Sequence, residues 1–542
     1  MPSVVALRAW LVLAPVVVFL LIASVRIDRP GLHYDEALEA GLPAAQLLAG
    51  QPITALNGVA LHVGELALPL MVQNHIGAIQ VYAALPFILI GGPTTVSLRA
   101  MTLVVGALTI VAVYLFVAQL YGDLAALYAG LWLAVFGSFV FWSRQGVFVT
   151  SLAPCFVACA LAAGAYWRRT QRLWVIGLVG LCAGLAIYSK LSALWLVSGM
   201  LAWGALAAGR RLPGITREWL VRRWQMLLAG LAGLLLGVWP LILYNLRSGG
   251  ATLQVIQLNA DRTYLGISNA DVLGNLKTRL EQAADVVRSG DHLWYLGGTF
   301  PSQAALVSVL AALLILLAGC VYERGRGWRS TLLAPFLALA VVVQSCFTIS
   351  SLWPTHFAIA VMLPAIIFGV AVARARAWWA GDQRRSRRLL RGLVALLAAL
   401  VLIAQLRTSL SYLNATVVSG GRSFHSTAIY DLARFLAGRP EHIVALDWGI
   451  STPVEYLGGG HTPIEEIYGY EQTPPPSFGE ELRKRFGDDA LFVTHAENQE
   501  AFPRRAAFLQ AVADAGMWAE PLNVSVDSAG WPIFEVWRVR RP

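Results

Sequence analysis

Long apolar stretches separated by short polar ones fill the chain up to about Leu410. A helix of about 20 apolar residues crosses the hydrocarbon core of a bilayer, and roughly eleven stretches approach that length. These stretches are Trp10–Val25, Leu98–Leu120, Leu124–Phe141, Phe148–Trp167, Leu173–Tyr188, Ser192–Ala208, Met226–Leu243, Ala304–Val321, Leu332–Phe347, Phe357–Ala373 and Gly392–Leu410. The pattern predicts a polytopic, mainly α-helical membrane bundle with about eleven transmembrane helices.

Three apolar stretches need separate interpretation. The stretch Leu173–Ala208 is too long for one membrane crossing, so we expect it to fold back with Lys190 near its apex. Trp10–Val25 has no clear small-residue cleavage site before Arg26, which predicts a retained anchor rather than a signal peptide. Gly77–Ile90 is short and contains a proline, which favours an amphipathic helix lying in the membrane interface.

Basic residues between the apolar stretches predict the orientation. Four arginine-rich segments fall on one side of the membrane, at Arg168–Arg172, Arg210–Arg223, Arg324–Arg329 and Arg374–Arg391. Because short cytoplasmic loops carry an excess of Lys and Arg, this side is the cytoplasm and the N-terminus lies there. The long segments Arg26–Ser97, Asn245–Gln303 and Ser411–Pro542 are then extracytoplasmic, in a cell inner or plasma membrane.

The residues after Leu410 read as a separate part of the chain. We predict a transmembrane domain over 1–410, with outer loops 26–97 and 245–303, and a soluble extracytoplasmic α/β domain over 411–542. Its predicted elements are helices at Thr427–Leu436 and Arg504–Ala515, a helix or turn near Pro453–Leu457, strands at Ile443–Asp447 and Ala490–Thr494, and a final strand pair ending Phe534–Val539. Truncation after Leu410 is then expected to leave donor binding intact.

Composition and motifs exclude several classes of protein. Hydrophobic residues make up 57% of the chain against 13% charged residues, which is outside the range of soluble domains. The net charge of +10 is spread over short loops rather than one basic face, so no nucleic-acid partner is predicted. The sequence contains no metal-binding spacing of His or Cys and no phosphate-binding glycine loop, which argues against nucleotide-driven transport.

An acidic cluster follows the first apolar stretch. If the chain is helical from about Asp35, the carboxylates of Asp35 and Glu39 share a face one turn apart, and Glu36 points away from both. Such a cluster can raise the pKa of one carboxylate, as a general base requires, or bind a cation. The alternative is a solvated helix start whose acids favour the helix N-terminus.

Isolated basic residues at the predicted outer ends of helices are the second candidate group. They are Arg144, Lys190, Arg247 and Arg262, with His356 on the same side. Outer loops are normally depleted of Lys and Arg, so cations at this depth suggest an anionic ligand such as a lipid phosphate. The alternatives are snorkelling of each cation toward ordinary headgroups and a structural role for the histidine.

The order of these residues resembles a known family. The matching segments are His33-Tyr34-Asp35-Glu36, Asn74 to Tyr82, Ser97-Leu98-Arg99, Tyr121-Gly122-Asp123, Trp142-Ser143-Arg144, Ser189-Lys190 and His356-Phe357 before Pro364. Over about residues 1–410 the chain resembles the family 39 glycosyltransferases of the GT-C superfamily. This family includes bacterial aminoarabinose transferases and dolichyl-phosphate-mannose-dependent protein O-mannosyltransferases.

The resemblance implies transfer of a sugar from a polyprenyl-phosphate-linked donor to a glycan, lipid or protein acceptor on the outer face, with inversion. It makes Asp35 the catalytic base and Glu36 its paired acid. Donor-phosphate binding is expected from Arg144, Lys190, His356 and Arg247, alongside contacts with membrane lipids. Many members place a second acid shortly after the arginine of the third outer loop, where Val147–Ser151 offers none. No metal ligand is therefore predicted, and dependence on a divalent metal is left open.

Two other classes of function remain open. A flippase or transporter for a lipid-linked substrate would keep ionisable residues at mid-membrane depth or show repeated halves, and neither is visible in the sequence. A non-catalytic membrane anchor that presents a C-terminal binding domain needs fewer crossings than about eleven. Substitution of Asp35 separates these classes, because an anchor tolerates its loss.

Overall fold

The computed structural model describes residues 4–145, 152–261, 268–322, 327–347, 353–378, 385–469, 472–487 and 489–541. Helices before the C-terminal sheet are α1 Val4–Ala23, α2 Tyr34–Glu36, α3 Leu42–Leu48, α4 Ile79–Gly91, α5 Thr95–Tyr121, α6 Asp123–Val135, α7 Gly137–Gln145, α8 Leu152–Thr170, α9 Leu173–Ser189, α10 Leu194–Ala208, α11 Leu212–Arg222, α12 Trp224–Arg247, α13 Ala251–Asp261, α14 Val272–Arg288, α15 Gln303–Tyr322, α16 Trp328–Thr331, α17 Leu333–Ser345, α18 Leu363–Trp378 and α19 Arg385–Ser419. The first outer segment adds strands β1 Ala60–Val63, β2 Leu66–Pro69, β3 Met71–Gln73 and β4 Ile76–Gly77. The chain is therefore mainly helical, as predicted.

Every predicted crossing coincides with a helix in the described part of the chain. By length and apolar composition, five described helices can span a membrane, and two bent helix pairs raise the number to seven. The remaining predicted crossings form α1, α8, α9 and α17, which are 13 to 20 residues long. The protein is a multi-pass membrane protein, and α4, Ile79–Gly91, covers most of the predicted helix Gly77–Ile90.

Two predicted crossings differ from a straight helix: Phe357–Ala373 bends by 49° before α18, and Leu124–Phe141 bends more sharply. Leu124–Phe141 is broken into α6 and α7, which meet at an angle of 63°. At the break, a Cβ on Gly137 would lie 2.9 Å from the side chain of Ser289, so the glycine lets the end of α14 approach. The backbone N–H of Ser138 donates to Ser289 Oγ at 3.0 Å, which satisfies a donor at the start of α7.

The predicted reversal at Lys190 is confirmed. α9 ends at Ser189, Lys190 is extended, and a 3-10 turn at Leu191–Ala193 leads into α10. On its other side α9 packs closely on α12, because a Cβ on Gly180 would lie 2.0 Å from the carbonyl oxygen of Gly230. Small residues at such a crossing let two membrane helices approach. This packing fixes the end of α9, and with it the position of Lys190.

The last part of the chain folds around one mixed sheet. Its helices are α20 Ala428–Leu436, α21 Ser451–Leu457, α22 Phe478–Arg483 and α23 Arg505–Asp514, and its strands are β5 His442–Ala445, β6 Ile464–Glu466, β7 Ala490–His495, β8 Trp518–Val526 and β9 Pro532–Arg540. The strand order is β6-β5-β7-β9-β8, with β6, β5 and β7 parallel and the rest antiparallel. The predicted elements are present, whereas the short β6 and α22 were not predicted.

The sheet shares a hydrophobic core with the first outer segment. Buried residues of both parts join in it, including Leu32, Ala37, Val81 and Leu98 from the first part and Leu432, Val454, Leu491 and Phe534 from the second. α19 also continues past the predicted boundary to Ser419. This shared core argues against the expectation that truncation after Leu410 leaves donor binding intact, because truncation would expose the core to water. The division at Leu410 stays a prediction.

Candidate active site

The acidic cluster begins at a capped helix start. His33 is the N-cap of α2, where its Nδ1 accepts from the backbone N–H of Asp35 at 3.2 Å. The backbone N–H of His33 in turn donates to Glu36 Oε1 at 3.3 Å, which completes a capping box. The helix then widens into a π-helical turn over Ala37–Gly41, which contains Glu39. Such turns are frequent at functional sites.

Glu36 is held in a closed ion pair. Its two carboxylate oxygens accept from Arg99 at 2.8 and 2.9 Å, and the side chains are 1% and 0% exposed. The remaining donors of Arg99 bind the carbonyl oxygens of Ile27, Pro30 and Gly31 at 2.8 to 3.1 Å. All five guanidinium donors are thus used within the protein. Glu36 points away from Asp35, and this geometry favours a structural role over the predicted paired acid.

Arg144 lies beside this ion pair. It interacts electrostatically with Arg99 and Glu36, and its Nη2 donates to the backbone carbonyls of Arg26 and Arg29, the latter at 2.9 Å. Its side chain is fully buried. We refer to Glu36, Arg99 and Arg144 as the Arg99 layer, which ties the start of the first outer segment to α5 and α7.

Asp35 and Glu39 face Lys190 instead, and we call these three residues the Lys190 group. Glu39 and Lys190 are 3% and 8% exposed, whereas the side chain of Asp35 keeps 20% of its surface exposed. Gln73 Nε2 donates to Glu39 Oε1 at 2.9 Å, and Glu39 Oε2 has no hydrogen-bond partner among the described residues. Asp35 is therefore the acid of the group that a substrate can reach.

Burial controls the protonation of the Lys190 group. Burial raises the pKa of Asp35 to about 6, and the charge of Lys190 acts in the opposite direction. Burial and the charge of Asp35 together raise the pKa of Glu39 well above its usual value. Burial lowers the pKa of Lys190, while the two acids counteract this effect. The pKa values of the two acids are thus both raised by burial, and the attraction between Lys190 and the acids opposes the effect of burial on all three groups.

A second set of basic groups adjoins Lys190. The N–H of Leu191 donates to the carbonyl oxygen of His75 at 3.0 Å, which joins the α9–α10 turn to the β3–β4 hairpin. His356 interacts electrostatically with Lys190, His75 and Arg279, and its Nδ1 lies 3.3 Å from Arg279 Nη2. Lys190 thus interacts both with the two carboxylates and with His356, which in turn adjoins Arg279.

Arg279 was not predicted from the sequence. It is fully buried on α14, its guanidinium carbon lies 5.4 Å from the ring centroid of Phe357, and its Nη1 donates to the carbonyl oxygen of Trp353 at 3.1 Å. Its Nε has no hydrogen-bond partner within the described ranges. α14 carries polar residues along most of its length, as a solvated helix does, so only its tertiary packing identifies this arginine.

The other predicted cations lie elsewhere. Arg247 is exposed at the end of α12, where its Nη1 donates to the carbonyl oxygen of Ala60 at 3.0 Å. Arg262 lies outside the described residues. The structure therefore brings Lys190 and His356 together with Asp35, whereas Arg144 belongs to the Arg99 layer.

A metal ion does not fit the acidic group well. Within the described ranges, no three His, Cys, Asp or Glu side chains gather as a metal site would require. Both acids instead interact electrostatically with Lys190, a cationic side chain of the protein itself.

Comparison with known proteins agrees with this architecture. The model of the dolichyl-phosphate-mannose-protein mannosyltransferase family matches residues 80–244. None of the curated proteins matches the chain. The structure is similar to that of ArnT from Cupriavidus metallidurans bound to undecaprenyl phosphate, with 15% identity, a TM-score of 0.60 and coverage of 98% of both chains.

A second solved structure supports the same fold. The archaeal oligosaccharyltransferase AglB from Archaeoglobus fulgidus, in complex with an inhibitory peptide and a dolichol-phosphate, is 13% identical at a TM-score of 0.53. The match covers 90% of this chain and 69% of that chain. The protein therefore has the GT-C fold, and the resemblance predicted from its sequence is confirmed.

Proposed function

We propose that this protein transfers a sugar from a polyprenyl-phosphate-linked donor to an acceptor on the outer face of the membrane, with Asp35 as general base. One observation carries the proposal: a partly exposed carboxylate stands beside a buried acid and a buried lysine on the first outer segment. The related proteins support the donor class, because ArnT was solved with undecaprenyl phosphate and AglB with a dolichol-phosphate.

The reaction assigned to Asp35 is a single displacement. The acceptor hydroxyl gives its proton to the Asp35 carboxylate while its oxygen forms a bond to the anomeric carbon. The bond from that carbon to the phosphate oxygen breaks, and its electron pair leaves with the lipid phosphate. Attack from the side opposite the phosphate inverts the anomeric carbon. A base with a pKa of about 6 is ionised at neutral pH and basic enough to accept this proton.

Glu39 takes the place that the resemblance gave to Glu36. It shares Lys190 with Asp35, and burial together with the charge of Asp35 raises its pKa well above the usual value. Glu39 is also less exposed than Asp35, which favours Asp35 as the base and Glu39 as the buried partner acid.

Binding of the departing lipid phosphate is assigned to Lys190, Arg279 and His356. His356 interacts with both Lys190 and Arg279, and Arg279 has a buried donor, Nε, with no partner in the described part of the chain. Charge-assisted hydrogen bonds from guanidinium and ammonium groups stabilise the negative charge that develops on a leaving phosphate. In this proposal Arg279 replaces Arg144 and Arg247 as the arginine of the donor site.

The orientation follows from the arginine-rich loops. With 168–172, 210–223, 324–329 and 374–391 in the cytoplasm, the α9–α10 turn and the first outer segment lie outside. The N-terminus is then cytoplasmic, and the unit after α19 lies above the same face as Asp35. Reporter fusions after Gly209 and after Pro542 test this orientation and are expected to give opposite signals.

The experiment that tests the function has two parts. Mass analysis of polyprenyl-phosphate sugars in cells with and without the gene identifies the donor, which is expected to accumulate when the gene is lost. Membranes containing Asp35→Asn are then assayed with that donor. Loss of a general base lowers the rate by about 10²–10⁴-fold, and donor binding is expected to be retained. Glu65→Gln, at an exposed position of the same outer segment, is the matched control. Near-wild-type turnover by Asp35→Asn would refute the assignment.

A further inference from the structure

The parallel strands of the C-terminal sheet end against the helix that carries Asp35. β5, β6 and β7 are parallel, so their carboxyl ends meet at one edge of the sheet. Asp447 and Trp448 follow β5, Glu466 ends β6 and His495 ends β7. We call this set the strand-end edge. The carboxyl ends of parallel strands are where α/β sheets usually place functional side chains.

Two side chains of the strand-end edge contact the residues immediately before Asp35. The Trp448 ring lies 5.1 Å from that of Tyr34 and 5.3 Å from that of His33, measured between centroids. The Tyr34 hydroxyl lies 3.2 Å from each carboxylate oxygen of Glu466. These two contacts fix both residues that precede the base.

The backbone of Trp448 is itself fixed by a buried pair. Asp447 Oδ2 lies 2.6 Å from His495 Nδ1, and both side chains are at most 1% exposed. Asp447 Oδ1 accepts from the backbone N–H of Trp448 at 2.8 Å and of Phe502 at 2.9 Å. The indole is thus anchored through its main chain to two neighbouring strands.

The helix that carries Asp35 is too short to orient itself. α2 contains only three residues and passes directly into the π-helical turn. A nucleus of this size has no independent stability, so tertiary contacts must set its direction. Its contacts include the capping interactions of His33, the ion pair of Glu36 with Arg99, the stacking of His33 on His425, and the strand-end edge. The strand-end edge is the contribution of the C-terminal sheet.

We propose that Trp448 and Glu466 are positioning residues, which hold Tyr34 and His33 so that the Asp35 carboxylate points at the acceptor hydroxyl. The inference rests on the proposed function of Asp35. It gives the C-terminal sheet a part in the chemical step, through the orientation of the base. A displacement of about 1 Å at a reacting group can cost 10²-fold in rate, so a modest loosening of α2 is measurable.

The test compares Trp448→Ala with Trp448→Phe, and Glu466→Ala with Glu466→Gln. Phenylalanine retains a ring against Tyr34, and glutamine retains an acceptor for its hydroxyl. We expect the alanine variants to lower kcat about 10- to 100-fold without changing the donor Kd, and the conservative variants to restore most of the loss. Trp518→Ala, at a position 51% exposed on β8, and Glu480→Ala, exposed on α22, are the controls.

The pH profile separates positioning from general destabilisation. Asp35 is faced by Glu39, Lys190 and His33, and none of these is changed in the variants. If α2 loosens, Asp35 becomes more hydrated, so the acid limb of the rate profile moves to lower pH. A loss of folded protein would lower the rate without moving this limb.

Several results would overturn the inference. These are unchanged kcat in both alanine variants, an equal loss in the alanine and conservative variants, or an unmoved acid limb. Asp35→Asn is assayed in parallel. An inactive Asp35→Asn beside fully active alanine variants would remove the positioning role and leave the proposed function standing. An active Asp35→Asn would instead remove the proposed function itself.

Discussion

Asp35 and Glu36 are neighbours in the sequence but lie in opposite environments. In the Arg99 layer every guanidinium donor of Arg99 is used, and Glu36 is 1% exposed. In the Lys190 group one lysine faces two acids, and Asp35 keeps 20% of its side-chain surface exposed. A saturated buried ion pair has no donor or acceptor left for a substrate, whereas the Lys190 group does.

One helical turn separates the acid with a structural role, Glu36, from the candidate base, Asp35. Successive residues of a helix point in directions about 100° apart, so Glu36 reaches α5 while Asp35 faces the α9–α10 turn. The same short segment is thus anchored by one acid and presents the other.

Removal of the C-terminal sheet is expected to have the largest effect. The sheet covers the Arg99 layer, because the Tyr430 hydroxyl donates to the carbonyl oxygen of Asp28 at 2.6 Å and Gly31 N–H to that of His425 at 2.7 Å. Truncation after Ser419 would expose the apolar side chains of the shared core to water, and a folded domain is typically stabilised by only about 5–15 kcal/mol in total. We expect no monodisperse protein by size-exclusion chromatography in detergent, whereas Asp35→Asn should elute as wild type. A monodisperse truncated protein would contradict this prediction.

Glu36→Gln and Asp35→Asn are expected to change stability in opposite directions. Glu36→Gln leaves the buried guanidinium of Arg99 without its counter-charge, which costs roughly 3–5 kcal/mol. Asp35→Asn removes an acid whose folded pKa of about 6 lies above its unfolded value. At pH 7 that acid is ionised and burial disfavours it, so its removal should maintain or raise Tm. Thermal unfolding of the purified proteins at pH 7 measures both, and equal losses would remove the distinction between the two environments.

Lys190 and Arg144 are expected to separate donor binding from stability. Lys190→Ala and Arg279→Ala each remove charge-assisted contacts to the phosphate, worth roughly 1.5–3 kcal/mol, so the donor Kd should rise about 10- to 100-fold. Arg144→Ala should leave the donor Kd unchanged and lower Tm, because Arg144 Nη2 donates to backbone carbonyls of the first outer segment. Donor titrations with the three variants measure these changes in Kd. A higher donor Kd in Arg144→Ala would show that Arg144 belongs to the donor-phosphate site.

Sequence reasoning identified the parts of the site that depend on local pattern. The length of the Leu173–Ala208 stretch placed Lys190 at a reversal, and helical spacing placed Asp35 and Glu39 on one face. Both predictions depend on residues close together in the sequence, so hydrophobic length and helical periodicity are enough to make them. The resemblance suggested Glu36 as the second acid, whereas the structure places Glu39 beside Lys190.

The parts that sequence reasoning missed depend on distant contacts. Arg279 lies on a polar helix, and its burial comes from Phe357 and His356, far along the chain. Trp448 and Glu466 lie at the carboxyl ends of strands, and the sequence of these strands does not show that their ends contact Tyr34 and His33. The bend between α6 and α7 similarly depends on Ser289 of another element. Tertiary packing of this kind leaves no periodic signal in one sequence.

The smallest expected effect is a shift in pH dependence. The base must be ionised to accept a proton, so activity should rise with pH up to about 6 and then level. Below this pH the rate should fall about tenfold per unit, as protonation of Asp35 removes the active form. The charge of Lys190 holds the pKa of Asp35 down, so Lys190→Ala should move the acid limb to higher pH. Glu65→Gln should leave the limb in place. Profiles of kcat between about pH 4.5 and 8, measured at saturating donor, separate this shift from weaker donor binding. An acid limb at the wild-type pH in Lys190→Ala would show that the lysine does not change the pKa of Asp35.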